Sequence, residues 1–404
     1  MTIEPDKILI QDYTYDLPNE RIAHRPLAQR DASKLLVYKS GRTTDDHFYN
    51  LPEHLPANSL LILNNTKVIE ARMLFKKSSG GVIEIFCLEP VEQSMETALQ
   101  QQNSCKWKCL IGGASKWKPG LVLEKELTID GQPVILHATY SGKLDDGFII
   151  QFNWTPAAFH FVQVIHAAGA IPLPPYIKRG AENLDTDRYQ TIFGKHEGSV
   201  AAPTAALHFT DAVFEKLHQK NISTGFITLN VGAGTFKPVK TASIADHQMH
   251  GEDFTIERKV LSSLVEAEKV IAVGTTSLRT IESIYWLGIK LLEGKIKNEW
   301  TIDQWEVYEL NDAIPHKESL QAIIGWMDDH QLDQLHCRTS LLIVPGYRFK
   351  IPSGIITNFH QPQSTLLLLI AAFIGEDWRK VYQHALDNDY RFLSYGDSSL
   401  LWRK

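Results

Sequence analysis

Beyond about residue 154, the pattern of hydrophobic positions alternates between that of a buried strand and that of a helix. The stretch 225–231 is strand-like, and apolar runs typical of buried strands occupy 270–273 and 341–344. Apolar residues recur at helical spacing over 211–220, 258–269, 278–286 and 364–374. Because strands that alternate with helices build sheets covered by helices, this part of the chain is predicted to form an α/β domain.

Residues 72–153 have a different pattern. Short strand-like runs follow one another at near-regular spacing, with turns such as Asp130-Gly131 and Asp146-Gly147 between them. Only 92–99 is a candidate helix. Such spacing is typical of a small barrel or sandwich. We therefore predict an α/β fold in which one large α/β domain, residues 1–71 plus 154–404, carries an inserted barrel-like all-β domain at 72–153.

The composition is that of a globular protein with a large core. Of 404 residues, 44% are hydrophobic and 22% are charged. The formal net charge of −6 excludes a polycation of the histone type, but it leaves room for a local basic patch. Four cysteines provide no disulfide framework, which indicates a reducing compartment.

Neither a membrane span nor a secretory signal is recognisable in the sequence. The longest apolar run, 366–374, has nine residues, whereas a span needs about 20. The first six residues contain two acids and a proline, where a signal peptide would be basic and then apolar. We therefore expect a soluble, cytoplasmic protein that does not associate with membranes.

The usual cofactor motifs are absent from the sequence. Lys237 stands where the third glycine of G-x-G-x-x-G would follow Gly232 and Gly234. There is no Walker A motif and no G-x-S-x-G. Cys105 and Cys109 have the first spacing of an iron–sulfur motif, but position 112 is glycine rather than cysteine.

Polar residues follow several predicted strands at the point where each strand ends. The turn 274–279 joins a strand to a helix, and its free N–H groups, two threonines and a serine suit an oxyanion that Arg279 would also bind. The segments 201–210, 230–236 and 357–362 have similar positions. We expect one cleft to collect the side chains of His208, Phe236, Thr275, Thr276, Ser277, Arg279, Asn358 and His360.

Two further patterns leave alternative functions open. The segment 246–252 holds two imidazoles and two carboxylates, so His247, His250 and Glu252 would serve a metal-dependent hydrolase or an acid/base group. From 97 to 123 there are four lysines and no acid. These lysines suit RNA phosphates, and the interleaved Trp107 and Trp117 suit stacking on bases, although on extended strands the tryptophans would face away from the lysines. Alone, this segment would support a non-catalytic RNA-binding protein.

Several blocks of sequence resemble one known family. The blocks are PLPPYI at 172–177, YQT at 189–191, GSVAAPT at 198–204, VGAGTF at 231–236, GTTSLR at 274–279, TNFH at 357–360 and YRFLSYGD at 390–397. In this order they resemble the S-adenosylmethionine:tRNA ribosyltransferase-isomerases of queuosine biosynthesis, nearly end to end.

The chain also departs from the family pattern. Asn230 stands where the family has histidine, which puts a catalytic histidine there in doubt. Glu70, Ala206 and Gln361 replace the usual proline, glycine and leucine, and the stretch 291–336 is longer than in many members.

The resemblance implies a transferase. S-adenosylmethionine would be a substrate, the ribosyl donor, and no metal or redox cofactor would be needed. The acceptor would be 7-aminomethyl-7-deazaguanine at the wobble position of a tRNA with a G-U-N anticodon. Epoxyqueuosine-tRNA, adenine and methionine would be the products. No obligate protein partner is indicated.

The motifs and the resemblance together give a set of candidate site residues. Catalytic candidates are His208, His250, Arg279 and His360. Substrate-binding candidates are Thr204, Phe209, Gly232, Gly234, Thr235, Phe236, Glu252, Thr275, Thr276, Ser277, Asn358, Tyr395 and Asp397. Candidates for tRNA binding are Lys106, Lys108, Lys116, Lys118, Lys178 and Arg179. The turn 275–277 with Arg279 is expected to hold the methionine carboxylate or a tRNA phosphate, and Phe209 or Phe236 to pack on adenine.

Overall fold

The computed structural model describes residues 3–77, 79–118, 120–232, 239, 241–296 and 299–404. The strands are β1 Lys34–Lys39, β2 Arg42–His47, β3 Leu60–Asn64, β4 Thr66–Val68, β5 Arg72–Lys76, β6 Val82–Pro90, β7 Ser104–Gly112, β8 Leu123–Ile129, β9 Gln132–Leu144, β10 Gly147–Thr155, β11 Gly169–Ala170, β12 His196–Ser199, β13 Ser223–Leu229, β14 Glu252–Glu257, β15 Val270–Val273, β16 Thr301–Ile302, β17 Gln334–Thr339, β18 Pro352–Asn358 and β19 Ser398–Trp402. The α-helices are α1 Met95–Leu99, α2 Phe161–Ala168, α3 Asn183–Arg188, α4 Asp211–Gln219, α5 Arg258–Glu266, α6 Thr275–Leu292, α7 His316–Asp329, α8 Thr365–Ile374 and α9 Asp377–Asp387.

Ten strands form one mixed sheet in the order β16-β17-β14-β13-β3-β15-β18-β19-β1-β2. At its centre β13, β3, β15 and β18 run parallel, and β19 pairs with β18 in the antiparallel direction. Strands β3 and β15 are buried at every position, as expected for parallel strands covered on both faces. The carboxyl ends of β3, β15 and β18 therefore lie at one edge of the sheet.

Most predicted elements of this domain are present, but the predicted strand at 341–344 is wrong. These apolar residues are buried, yet their backbone groups bind loops and side chains instead of a neighbouring strand. Leu342 N–H donates to the Gln304 carbonyl at 3.2 Å, and the Tyr308 hydroxyl donates to the Leu342 carbonyl at 2.8 Å. An apolar run is therefore buried here without joining the sheet, whose strand is β17 just before it.

Seven strands form the second sheet, in the order β11-β5-β6-β7-β10-β9-β8, with every pair antiparallel. Strand β8 at one end approaches β5 near the other end. Lys125 on β8 fastens this approach, because its Nζ donates to the carbonyls of Leu74 at 3.1 Å and Ala168 at 2.6 Å. The sheet is therefore curled like a half-barrel. The predicted fold class, a large α/β part with a barrel-like all-β part, is confirmed.

Helix α2 fills the concave face of the half-barrel. Its first residue, Phe161, is fully buried, and its ring lies 5.4–5.5 Å from the rings of Trp107, Phe152 and Trp154. The apolar core of the half-barrel thus includes residues beyond the last strand of the 72–153 stretch.

The long stretch 291–336 contributes α7, which packs on α5 and α6. The α6–α7 contact is close because position 288 is glycine: a Cβ there would lie 2.2 Å from Ser319 Oγ. Within the described ranges, no helix has both the length and the apolar character needed to cross a membrane.

Candidate functional site

A large cleft lies where β15 and β18 end. It encloses about 770 Å³, open mouth included. The turn after β15, the residues after β18 and the segment 201–205 form much of its wall. Predicted site residues that line it are Thr204, Thr275, Thr276, Asn358 and His360. Residues from three distant parts of the sequence thus meet at the sheet edge where parallel strands end, a common position for ligand sites.

The start of α6 faces the cleft. Gly274 precedes the helix with φ 91° and ψ 153°, a conformation that only glycine adopts readily. Its N–H donates to the Ile356 carbonyl at 2.8 Å, which joins the turn to β18. The first N–H groups of an α-helix have no partner inside the helix, and the helix dipole adds partial positive charge. This wall, with the hydroxyls of Thr275 and Thr276, suits a carboxylate or phosphate.

Ser277, the third residue of the predicted turn, does not line the cleft. It is fully buried, and its hydroxyl has no partner among the described residues. Successive helix residues are rotated by about 100°. Ser277 therefore points into the core while Thr275 and Thr276 face the cleft.

Asn358 presents a hydrogen-bond donor at the cleft. The Thr204 hydroxyl donates to Asn358 Oδ1 at 2.8 Å, which fixes the amide. Asn358 Nδ2 is buried and has no partner among the described residues. Because an unpaired buried donor is costly, this group is suited to bind an acceptor atom of a ligand.

His360 is a neutral imidazole in the wall of the cleft. Burial lowers its pKa to about 3. Its Nε2 lies 2.9 Å from the Thr357 hydroxyl, and its backbone N–H donates to the Tyr382 hydroxyl at 3.1 Å. The Tyr15 hydroxyl donates to its carbonyl. These bonds hold the ring by Nε2, so that Nδ1 is the nitrogen left for proton transfer.

Arg279 lies in a smaller cavity of about 340 Å³ that shares Thr275 and Thr276 with the cleft. Burial lowers its pKa to about 10, so the guanidinium remains charged at neutral pH. It forms a buried ion pair with Glu252. The guanidinium is therefore already engaged by a carboxylate, instead of being held open for a substrate anion.

Two of the predicted catalytic residues, His208 and His250, do not line the cleft. His208 lines a separate cavity of about 290 Å³. His250 is exposed in the segment before β14 and is not among the residues of the cleft wall. Among the described residues, no three His, Cys, Asp or Glu side chains lie close enough together to hold a metal ion. His247, His250 and Glu252 therefore do not form the metal site that a hydrolase would need.

Three more predicted substrate-binding residues have structural partners elsewhere. Phe209 is fully buried against Phe48 and Phe214, at ring distances of 5.0 and 5.2 Å. The Tyr395 hydroxyl donates to the buried carboxylate of Asp185 at 2.7 Å. Asp397 accepts the backbone N–H groups of residues 34 and 391 at 3.0 and 2.7 Å.

The predicted glycine loop is only partly described. Gly232 is described and is not among the residues of the cleft wall, although its neighbour Val231 is. Gly234, Thr235 and Phe236 lie outside the described residues.

The predicted tRNA-binding cations fall into two groups. Lys106, Lys116, Lys118 and Lys178 are exposed. Lys108 pairs with Glu89 at 3.0 Å and Asp146 at 2.8 Å. Arg179 makes two hydrogen bonds to Asp185, at 2.6 and 2.8 Å.

The two tryptophans of the lysine-rich segment face inward. Trp107 is fully buried, and Trp117 Nε1 donates to the Leu121 carbonyl at 2.8 Å. Trp107 faces inward, as strand alternation on β7 predicts, whereas Trp117 follows a 3-10 helix at Ala114–Lys116 instead of lying on an extended strand. Neither ring is presented for the predicted stacking on RNA bases.

The cleft also contains residues that were not predicted from the sequence. Tyr176, Thr357 and Ser394 line it, and the Tyr176 and Ser394 hydroxyls lie 2.5 Å apart. Each belongs to a sequence block that resembles the family, and membership of such a block was the one feature that could have identified them as site residues. Their pattern of polar and apolar neighbours alone did not distinguish them from ordinary loop residues.

Comparison with known proteins supports the family resemblance that these sequence blocks indicate. A family model described as queuosine biosynthesis protein matches residues 10–401. A protein of Azoarcus sp. (strain BH72), named S-adenosylmethionine:tRNA ribosyltransferase-isomerase, is 36% identical over 399 residues, which are 98% of this chain and 97% of that protein. A protein of Magnetococcus marinus with the same name is 37% identical over 413 residues, 98% of this chain and 95% of its own.

A solved structure is also similar. The crystal structure of S-adenosylmethionine tRNA ribosyltransferase from Thermotoga maritima has 27% sequence identity and a TM-score of 0.46, over 96% of this chain and 99% of that one. The family match spans almost the whole chain and agrees with the predicted resemblance. The chain belongs to the queuosine biosynthesis protein family.

Proposed function

We propose that the protein is an S-adenosylmethionine:tRNA ribosyltransferase-isomerase. It transfers and isomerises the ribosyl group of S-adenosylmethionine onto 7-aminomethyl-7-deazaguanine at the tRNA wobble position. The products are epoxyqueuosine-tRNA, adenine and methionine. The cleft that combines the start of α6, the unpaired Asn358 amide and the neutral His360 imidazole carries the proposal, and the full-length relatives of this name support it.

The start of α6 is the proposed site of the methionine carboxylate. Helix N–H groups and the hydroxyls of Thr275 and Thr276 supply donors and partial positive charge, which suit one negative group. Asn358 Nδ2 then donates to an oxygen or nitrogen of the nucleoside. Arg279 supports this arrangement through its position beside Thr275 and Thr276, while Glu252 balances its charge.

His360 is the proposed proton acceptor. The reaction begins with transfer of a C5′ proton, next to the sulfonium, to His360 Nδ1. The aminomethyl nitrogen then attacks C1′, adenine leaves, and epoxide closure expels methionine. Because burial keeps the His360 pKa low, the imidazole is a weak base that binds the proton only transiently and passes it to the departing adenine.

Adenine release from S-adenosylmethionine tests this function. We expect release only with tRNA that carries the aminomethyl base and a G-U-N anticodon, and none with the same tRNA lacking that base. A metal-dependent hydrolase would instead lose its activity with a chelator. A non-catalytic RNA-binding protein would bind the tRNA and release no adenine.

A further inference from the structure

The separate cavity that contains His208 holds three polar groups without partners. His208 Nε2, Arg188 Nε and Ser33 Oγ are all buried, and none has a hydrogen-bond partner among the described residues. The three residues line the same cavity, which encloses about 290 Å³ with its open mouth included. Side chains of His208 and Ser33 are only 5% and 2% exposed. One cavity with three unpaired groups indicates a polar ligand, because each such group costs stability while it remains unpaired.

The surroundings of this cavity are cationic. Arg30 and Arg188 line it, and their guanidiniums donate to backbone carbonyls, at 2.6–3.2 Å. Neither forms an ion pair with a carboxylate within the described ranges. Burial and the charges of Arg391, Arg30 and Arg188 lower the pKa of His208 to about 4, although its contact with the Arg30 carbonyl opposes this. Positive charge without a carboxylate partner favours an anion.

The available protons match the oxygens of a phosphate. Arg188 Nε–H and the Ser33 hydroxyl are donors. His208 Nδ1 lies 3.4 Å from the Arg30 carbonyl, at the long limit of a hydrogen bond. Because a carbonyl oxygen can only accept, the neutral ring carries its proton on Nδ1 and Nε2 is an acceptor, so the donors toward an anion are Arg188 Nε–H and the Ser33 hydroxyl.

The cavity adjoins the substrate cleft. Ser394 lines both, so that one residue separates the two spaces. A nucleoside in the cleft would have its own backbone close to this wall. We propose that the His208 cavity binds a backbone phosphodiester of the substrate tRNA next to the wobble nucleoside. The proposal rests on the proposed function, because it requires tRNA as the substrate.

Binding of anticodon stem-loop RNAs with one neutral methylphosphonate at successive positions tests the proposal without catalysis. For the wild-type protein, one position near the wobble nucleoside should weaken binding by about tenfold or more, the value of a charge-assisted hydrogen bond. In Ser33→Ala the same change should weaken binding by no more than about threefold. Equal effects at every position in both proteins would overturn the proposal.

The stability of Ser33→Ala separates this role from a structural one. The Ser33 hydroxyl makes no hydrogen bond in the free protein, so its removal should leave the melting temperature unchanged or raised. Ser59→Ala is the matched control, because that buried hydroxyl donates to the Pro56 carbonyl at 2.7 Å. Ser59→Ala should lower the melting temperature, while the position-specific loss of binding to methylphosphonate RNA should remain as in the wild-type protein. A loss of stability in Ser33→Ala would contradict the proposal.

Two further measurements distinguish the remaining outcomes. Inorganic phosphate could raise the melting temperature of the wild-type protein but not that of Ser33→Ala, while no methylphosphonate position changes RNA binding. In that case the cavity binds free phosphate and the RNA assignment is wrong. Adenine release by the wild-type protein is measured with the unmodified-backbone RNA. Its absence would contradict the proposed function, whereas normal release without any position-specific effect would contradict only the phosphate site.

Discussion

The amide of Asn358 illustrates how a single residue can be prepared for a ligand. Its oxygen is held by Thr204 at 2.8 Å, while its nitrogen is buried and unpaired among the described residues. Asn358→Asp keeps the acceptor and removes the donor. We expect kcat/KM for adenine release to fall about 10- to 100-fold, the effect of losing one hydrogen bond that matters in the transition state.

Thr204→Val is the control for this prediction. It removes the hydroxyl that fixes the amide but leaves Nδ2 in place, so its loss of activity should be smaller. If the valine variant is the more damaged of the two, the donor role of Asn358 is wrong.

Two buried histidines make the folded protein sensitive to acid. Burial lowers the pKa values of His208 and His360 to about 4 and about 3, whereas an unfolded histidine has a pKa of about 6.5. Between these values the unfolded state binds more protons, so the free energy of unfolding falls as the pH decreases below 6.5. At pH 5 the two residues together should cost about 4 kcal/mol relative to neutral pH.

Urea denaturation between pH 5 and 7 measures this effect. In His208→Leu/His360→Leu, the two histidine contributions are gone, so the free energy of unfolding should change less over this range. An unchanged pH slope in the double variant would show that other groups cause the acid sensitivity.

At the scale of elements, α6 links the core to the cleft. Glu282, buried within this helix, accepts the Tyr347 hydroxyl at 2.5 Å and two backbone N–H groups of the 350–351 segment at 2.9 Å. Burial raises the pKa of this carboxyl, and these bonds partly oppose that. The helix is thereby fixed along its length, so that its N-terminal turn keeps one position in the wall of the cleft.

Gly274→Ala tests the importance of that turn. At φ 91° and ψ 153°, a Cβ should cost about 1–3 kcal/mol in backbone strain and shift the first N–H groups of α6. We expect a lower free energy of unfolding and a several-fold higher KM for S-adenosylmethionine.

Gly294→Ala is the matched control at the other end of the same helix. Gly294 also has positive φ, 67°, and a Cβ there would meet no atom within 4 Å. It should lower stability without changing KM. If both variants raised KM equally, the effect of Gly274→Ala would come from general destabilisation instead of from the N-terminal turn of α6.

Some element boundaries near the cleft were predictable because local signals agree there, whereas α6, predicted over 278–286, spans Thr275–Leu292. The apolar run of β15 coincides with the observed strand, and Thr210 and Ser364 cap α4 and α8 by accepting backbone N–H groups at 3.3 and 3.2 Å. Which polar residues face the cleft was less predictable. Ser277 and His208 have suitable chemistry, but the direction of a side chain depends on contacts made across the whole sheet.

At the scale of the whole molecule, a charged network joins the half-barrel to the α/β part. Glu197 on β12 binds Lys67 at 3.0 Å and His166 Nε2 at 3.2 Å, and His166 Nδ1 also binds Glu70. Hydrogen bonds to Glu197 and Glu70 raise the His166 pKa to about 9. Glu70, which replaces the usual proline of the family, thus has a partner that the sequence pattern did not reveal, because the two residues are 96 positions apart.

The molecule as a whole carries a net negative charge. With a net charge of −6, binding of tRNA requires a local basic surface. The half-barrel offers exposed Lys106, Lys116 and Lys118, and Lys77 Nζ lies 3.0 Å from the Lys116 carbonyl. Lys106 and Lys108 lie two residues apart on β7 and point to the same face, but only Lys108 has ion-pair partners within the described ranges.

This pair allows a matched test of the surface. If Lys106 contacts an RNA phosphate, Lys106→Ala should reduce the slope of log K against log salt concentration by about 0.7–0.9. Lys108→Ala should change that slope less, because Glu89 and Asp146 already balance its charge. The triple variant Lys106→Ala/Lys116→Ala/Lys118→Ala should raise the KM for tRNA further and leave S-adenosylmethionine binding unchanged. Identical salt slopes in the wild-type protein and the triple variant would place the tRNA surface elsewhere, with exposed Lys178 as the next candidate.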